Sequence, residues 1–160
     1  MSEFFAEYKT IIVFLHVISA VVWVGGMIAL RFAAHPSFMQ IESPAHRLER
    51  VSHALKNLFM IVAPFILTLF ITAIIMIKGY SISASDYKVL GYAKEGIWSV
   101  MLVAYIVMVM RRNRAQKAIA EGDFVLAKNQ LGLIGAVMVP INITLGVIAI
   151  FIGSYFSSVL

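Results

Sequence analysis

The amino-acid sequence predicts an all-α protein, an integral membrane four-helix bundle, and two observations support this prediction. Hydrophobic residues make up 61% of the chain and charged residues 13%, against roughly 45–50% and about 25% in soluble domains. The apolar residues are also gathered into four long runs separated by short polar loops. A soluble fold of 160 residues would leave much of this apolar surface in water, whereas a lipid bilayer covers it.

Each apolar run is long enough to cross the roughly 30 Å hydrocarbon core as a helix that rises about 1.5 Å per residue. Pro36 is expected to end or bend the first helix. Ser43 and Pro44 are typical of the N-cap and first residue of the second helix, which Pro64 is expected to kink. Residues 121–123 are expected to form a turn before the fourth span. We therefore predict one domain, residues 1–160, with spans at about 10–33, 57–78, 93–112 and 131–155.

Basic residues are concentrated in the loops after the first and third spans, whereas Asp86 and Glu95 partly offset the lysines of the second loop. Because Lys and Arg mark the cytoplasmic side, we expect these two loops in the cytoplasm and both termini outside, in a bacterial inner membrane. The net charge of +5 then requires no nucleic-acid partner. The basic residues are Arg31, Arg47, Arg50, Lys56, Arg111, Arg112, Arg114, Lys117 and Lys128.

His16 lies inside the first span, roughly 9 Å below its outer end. Ionisable residues are costly in a membrane and are commonly functional there. We interpret His16 as a cofactor or metal ligand, or else as a neutral histidine bonded to a carbonyl or to Glu95. Lys94 and Glu95, in the first turn of the third span, are candidate catalytic residues or simply a surface pair. Counting from the helix ends places Thr72, Glu95, Trp98 and Gly146 at the depth of His16.

Two further histidines, His35 and His53, lie near the inner face on helices joined by a short loop. Paired imidazoles on facing helices hold haem iron in four-helix bundles, so these residues are candidate iron ligands; alternatively, they are interfacial residues of a basic loop. Haem propionates need cationic partners, and the candidates at this end are Arg31, Arg47, Arg50 and Arg111. The chain has no cysteine and its nine methionines are scattered, which disfavours a copper(I) relay.

The first span resembles that of the CopD-like family and of the HemJ-type protoporphyrinogen oxidases, which share a pattern of His, Trp, Gly, Arg and His. The resemblance is loose over the whole chain and closest in this span. Those families carry a lysine inside the third span, where this chain has Trp98, with Lys94 one turn away. The matching residues are Phe14-Leu15-His16-Val17, Val22-Trp23-Val24-Gly25-Gly26-Met27, Arg31 and His35-Pro36, together with Arg47-Leu48-Glu49-Arg50, Pro64 and Arg112-Asn113-Arg114.

The resemblance implies a membrane protein that binds haem b, with His16 and His35 as ligands or catalytic groups and Trp23 as a cofactor contact. We expect a haem protein that transfers electrons between a membrane reductant, such as a quinol, and another partner. The alternatives are protoporphyrinogen IX oxidation in haem biosynthesis, in which Lys94 would take part, and CopD-like copper uptake. Whether the chain forms a homodimer is left open.

Overall fold

In the described part of the chain, four helices are long and apolar enough to cross a membrane, which confirms the all-helical fold and the four candidate spans predicted from the sequence. The computed structural model describes residues 2–80 and 88–159, and every regular element in these ranges is a helix. The predicted second loop, including Asp86, falls largely outside the described residues. The four candidate spans are Glu3–Met39, Pro44–Gly79, Lys88–Ala120 and Phe124–Phe156.

Two of the spans are interrupted by a wider, π-helical turn of five residues, so the bundle is built from six α-helices. The connection between the first and second spans is short, and so is the one between the third and fourth. In chain order the elements are α1 (Ser2–Ala29), the turn Leu30–Ala34, α2 (His35–Met39), α3 (Pro44–Gly79), α4 (Lys88–Ala120), α5 (Phe124–Leu133), the turn Ile134–Met138 and α6 (Val139–Val159).

Each π-helical turn ends two residues before a proline, and the missing proline N–H explains it. Pro36 has no donor for the carbonyl four residues earlier, and the same holds for Pro140. A π turn takes up the resulting mismatch within a continuing helix. The first helix therefore does not end at Pro36 but continues to Met39. Pro64 lies within α3, which continues unbroken to Gly79.

The start of the second span matches the sequence prediction. The Ser43 hydroxyl caps α3 by accepting the His46 N–H at 3.5 Å, and Pro44 is the first residue of that helix. The turn at 121–123 is also confirmed, because Gly122 has a φ of 79°, a conformation that glycine adopts at little cost. Asp123 then caps α5 by accepting the Leu126 N–H at 2.9 Å.

The core of the bundle lies between α1, α3, α4 and the last helix. Its largest buried side chains include Trp23, Met27 and Met108. The outer surface is apolar as well: Phe32 is 70% exposed and Phe151 is 73% exposed. Large aromatic side chains so exposed are what a lipid-facing surface presents, and a water-facing surface of this kind would aggregate.

Candidate functional site

His16 is held in one orientation by a threonine on the neighbouring helix. Its Nδ1 atom lies 2.9 Å from the Thr72 Oγ1 atom of α3. The Thr72 hydroxyl itself donates to the carbonyls of Thr68, at 2.7 Å, and Leu69, at 3.1 Å. A hydroxyl has a single proton, so towards His16 it acts as an acceptor. We therefore assign the proton of this hydrogen bond to His16 Nδ1.

It follows that the neutral His16 ring carries its lone pair on Nε2. A bare Nε2 is the atom that binds a metal ion or accepts a proton. Histidines that ligate metals usually donate their other ring N–H to a fixed neighbour, which sets the tautomer and the ring plane. The bond from His16 to Thr72 is an arrangement of this kind, although the acceptor is a hydroxyl.

Lys94 is turned into the bundle beside His16. Its side chain is half-buried, and its ammonium interacts electrostatically with the imidazole. The Lys94 Nζ atom lies only 3.0 Å from the position that a Cβ atom would occupy at Gly153. A larger residue at Gly153 would therefore displace the ammonium. We call His16, Thr72, Lys94 and Gly153 the His16 cluster; the residues come from α1, α3, α4 and α6.

Three buried polar atoms near the middle of the bundle have no hydrogen-bond partner among the described residues. They are Nε1 of Trp23, Nε1 of Trp98 and Oδ1 of Asn142. The Trp98 ring stacks on Phe70 with centroids 5.3 Å apart, and the Trp23 ring meets Tyr105 edge-on at 6.3 Å. Unpaired buried groups cost free energy, so a hydrogen-bond acceptor beside either indole N–H would stabilise the bundle.

The structure does not join the other predicted residues to the His16 cluster. Glu95 is exposed and is not the partner of His16. His35 is half-buried at the start of α2, nineteen residues after His16 and therefore about 28 Å along the helix. His53 is exposed beside the buried Ser52. Within residues 2–80 and 88–159, no three His, Asp or Glu side chains group closely enough to hold a metal ion.

The predicted arginines lie at the other end of the bundle, which we call the basic end; it comprises residues 31–56 and 111–128. Arg47 donates twice to the Ile41 carbonyl, at 3.1 and 2.7 Å, and Arg111 donates to Gln130 at 3.0 Å. These two side chains thus fix the connections between helices. Arg31 is half-buried and Arg50 is exposed.

Comparison of the chain with protein-family models, with curated proteins and with solved structures found no match. The class of the protein thus follows from its own fold and site. It is an all-helical, multi-pass membrane protein with four candidate spans, and it contains a polar cluster around His16 inside the bundle.

Proposed function

We propose that this protein is a membrane oxidoreductase component that transfers electrons through haem b, with His16 as a ligand of the iron. The observation that carries the proposal is the 2.9 Å contact between Nδ1 of the half-buried His16 and a Thr72 hydroxyl that already donates to a backbone carbonyl, which leaves Nε2 as the ligating atom. Bundles bind haem between their helices through such imidazoles. Haem would supply a reversible one-electron couple.

The residues around His16 fit one axial ligand of such a haem. Thr72 fixes the tautomer of the ligand, and the indole N–H groups of Trp23 and Trp98 are unpaired donors for a bound molecule. Lys94 is the cation of this cluster and the candidate partner of a propionate. His35 lies too far along the helix to ligate the same iron, so we propose that His16 binds without a second histidine of this chain.

The electron donor that we propose is a membrane reductant such as a quinol. The His16 cluster lies within the candidate spans, and the lipid-facing surface around them is apolar. A reductant dissolved in the bilayer would reach such a site without leaving the hydrocarbon phase. A water-soluble reductant would have to cross the polar ends of the bundle first.

The test is the visible spectrum of the purified, detergent-solubilised protein, oxidised and then reduced. We expect a haem b spectrum that a quinol analogue reduces within seconds, while added protoporphyrinogen makes no difference. Colourless protein from haem-replete cells, with no uptake of added haem, would refute the proposal. Haem that dithionite reduces but the quinol analogue does not would refute the electron-transfer role alone.

Protoporphyrinogen IX oxidation is the second candidate, and the inward position of Lys94 favours it. In its neutral form, an amine beside His16 can accept a proton from a substrate, which the indole of Trp98 cannot do, and haem would be the electron acceptor. Expression should then rescue growth of cells that lack their own protoporphyrinogen oxidase, and Lys94→Ala should abolish rescue. Lys117→Ala, a change at an exposed lysine, is the matched control. No comparable observation favours copper uptake.

A further inference from the structure

A cleft at the basic end lies between α3 and α4, separate from the His16 cluster. Its volume is about 290 Å³. The floor is apolar, and the cleft ends at two cationic side chains, Lys56 and Arg112. The apolar and aromatic lining residues are Phe59, Met60, Ala63, Tyr105 and Val109. One end of the cleft is therefore suited to an anion and the rest to a hydrocarbon chain.

Arg112 is fixed by three hydrogen bonds to neutral acceptors. Its Nε donates to the Ser52 carbonyl at 3.0 Å, its Nη2 to Gln116 at 3.2 Å and its Nη1 to Asn113 at 3.2 Å. A guanidinium has one N–H on Nε and two on each terminal nitrogen. One N–H thus remains on each of Nη1 and Nη2, and a phosphate group can accept from these charged donors.

Among the described residues, no carboxylate forms an ion pair at this end of the cleft. In the described part of the chain, the one ion pair joins Lys117 to Glu121 and involves neither Lys56 nor Arg112. Lys56 is exposed, so its flexible side chain is free to approach a ligand that Arg112 holds. Two uncompensated positive charges at the mouth of an apolar cleft attract an anion that also carries a hydrocarbon chain.

We propose that this cleft binds an anionic phospholipid, with its phosphate on Arg112 and Lys56 and one acyl chain along α3 and α4. A phospholipid fits better than free phosphate because the floor continues onto the lipid-facing surface, where Met60 is 57% exposed. Basic pockets between helices at the cytoplasmic side bind acidic head groups in this manner. The proposal does not rest on the presence of haem.

Native mass spectrometry of the detergent-solubilised protein tests the proposal, with phosphatidylglycerol and phosphatidylcholine as the two lipids. We expect a preference for phosphatidylglycerol that falls roughly fivefold for each cation removed, in Lys56→Gln and in Arg112→Gln. Lys117→Gln, which removes the same charge outside the cleft, should keep the preference. Because Arg112 also bonds to Ser52, Lys56→Gln provides the test if Arg112→Gln fails to fold.

Two further measurements show whether the acyl chain of the phospholipid contributes to binding. Ala63→Phe fills the floor without changing any charge, so it should weaken phosphatidylglycerol binding, and glycerol phosphate without acyl chains should bind far more weakly. Equal binding of both lipids, or a preference that survives in the double variant Lys56→Gln, Arg112→Gln, would overturn the proposal. So would equal binding of glycerol phosphate, or displacement of the lipid by added haem.

Discussion

Thr72 controls the chemistry of His16, because a hydroxyl that already donates to the Thr68 carbonyl has only its lone pairs left for the imidazole. The sequence placed Thr72 at the depth of His16 but did not show that the two side chains bond. The sequence likewise placed Lys94 in the first turn of the third span. That it turns inward while Glu95 is exposed depends on the rotation of α4, which four apolar helices of similar composition do not reveal.

Thr72→Val should lower the free energy of unfolding by about 1–3 kcal/mol, because it leaves the buried Nδ1–H of His16 without an acceptor. Thr144→Val is the matched control. Thr144 is exposed and donates only to the Pro140 carbonyl of its own helix, at 3.0 Å, so its loss should cost less than about 0.5 kcal/mol. Unfolding in mixed micelles by increasing denaturing detergent measures both. Equal effects of the two changes would contradict the hydrogen bond as described.

The helices pack most closely where glycine faces a neighbouring side chain. A Cβ atom at Gly146 of α6 would overlap Val24 of α1 and lie 3.2 Å from the Met101 Cε atom of α4. The sequence placed Gly146 at the depth of His16, whereas the glycine of α6 that lies against Lys94 of the His16 cluster is Gly153. The count along the fourth span failed because α6 continues to Val159, beyond the predicted end at about residue 155.

Gly146→Ala should therefore destabilise the bundle by about 1–3 kcal/mol through overpacking against α1. Gly132→Ala in α5 is the control, because a Cβ atom there meets nothing within 4 Å and alanine is the better helix former. The unfolding measurement in mixed micelles applies here too. If both variants were equally stable, the contact between α6 and α1 would be looser than the structure describes.

The helical architecture of the whole molecule was predictable from the sequence because it depends on composition and run length, which the bilayer thickness translates directly into helices. The cap at Ser43 and the turn at 121–123 were predictable for a similar reason, since they are local. The continuation of the first helix past Pro36 was not, because a proline that ends a helix and one that induces a π turn have the same sequence signature.

Orientation in the membrane also belongs to the whole molecule, and it remains a prediction from the basic loops. A reporter that is active only in the cytoplasm should be active when fused after Glu121 and inactive when fused after Leu160, because the arginine-rich loops stay inside. Fusions of equal expression level provide the control. The reverse pattern of activity would place the basic end, together with its lipid cleft, outside.

The most direct test of the central claim is the haem content of His16→Gly with and without added imidazole. Removing the side chain should abolish haem binding, and free imidazole should restore it by occupying the vacated space beside Thr72. His46→Gly, at an exposed histidine, should keep its haem. We therefore expect His16→Gly to lose its haem, the same variant to regain haem when imidazole is added, and His46→Gly to retain its haem. Full haem content in His16→Gly, with the same spectrum as the unaltered protein, would contradict the assignment of His16 as the ligand.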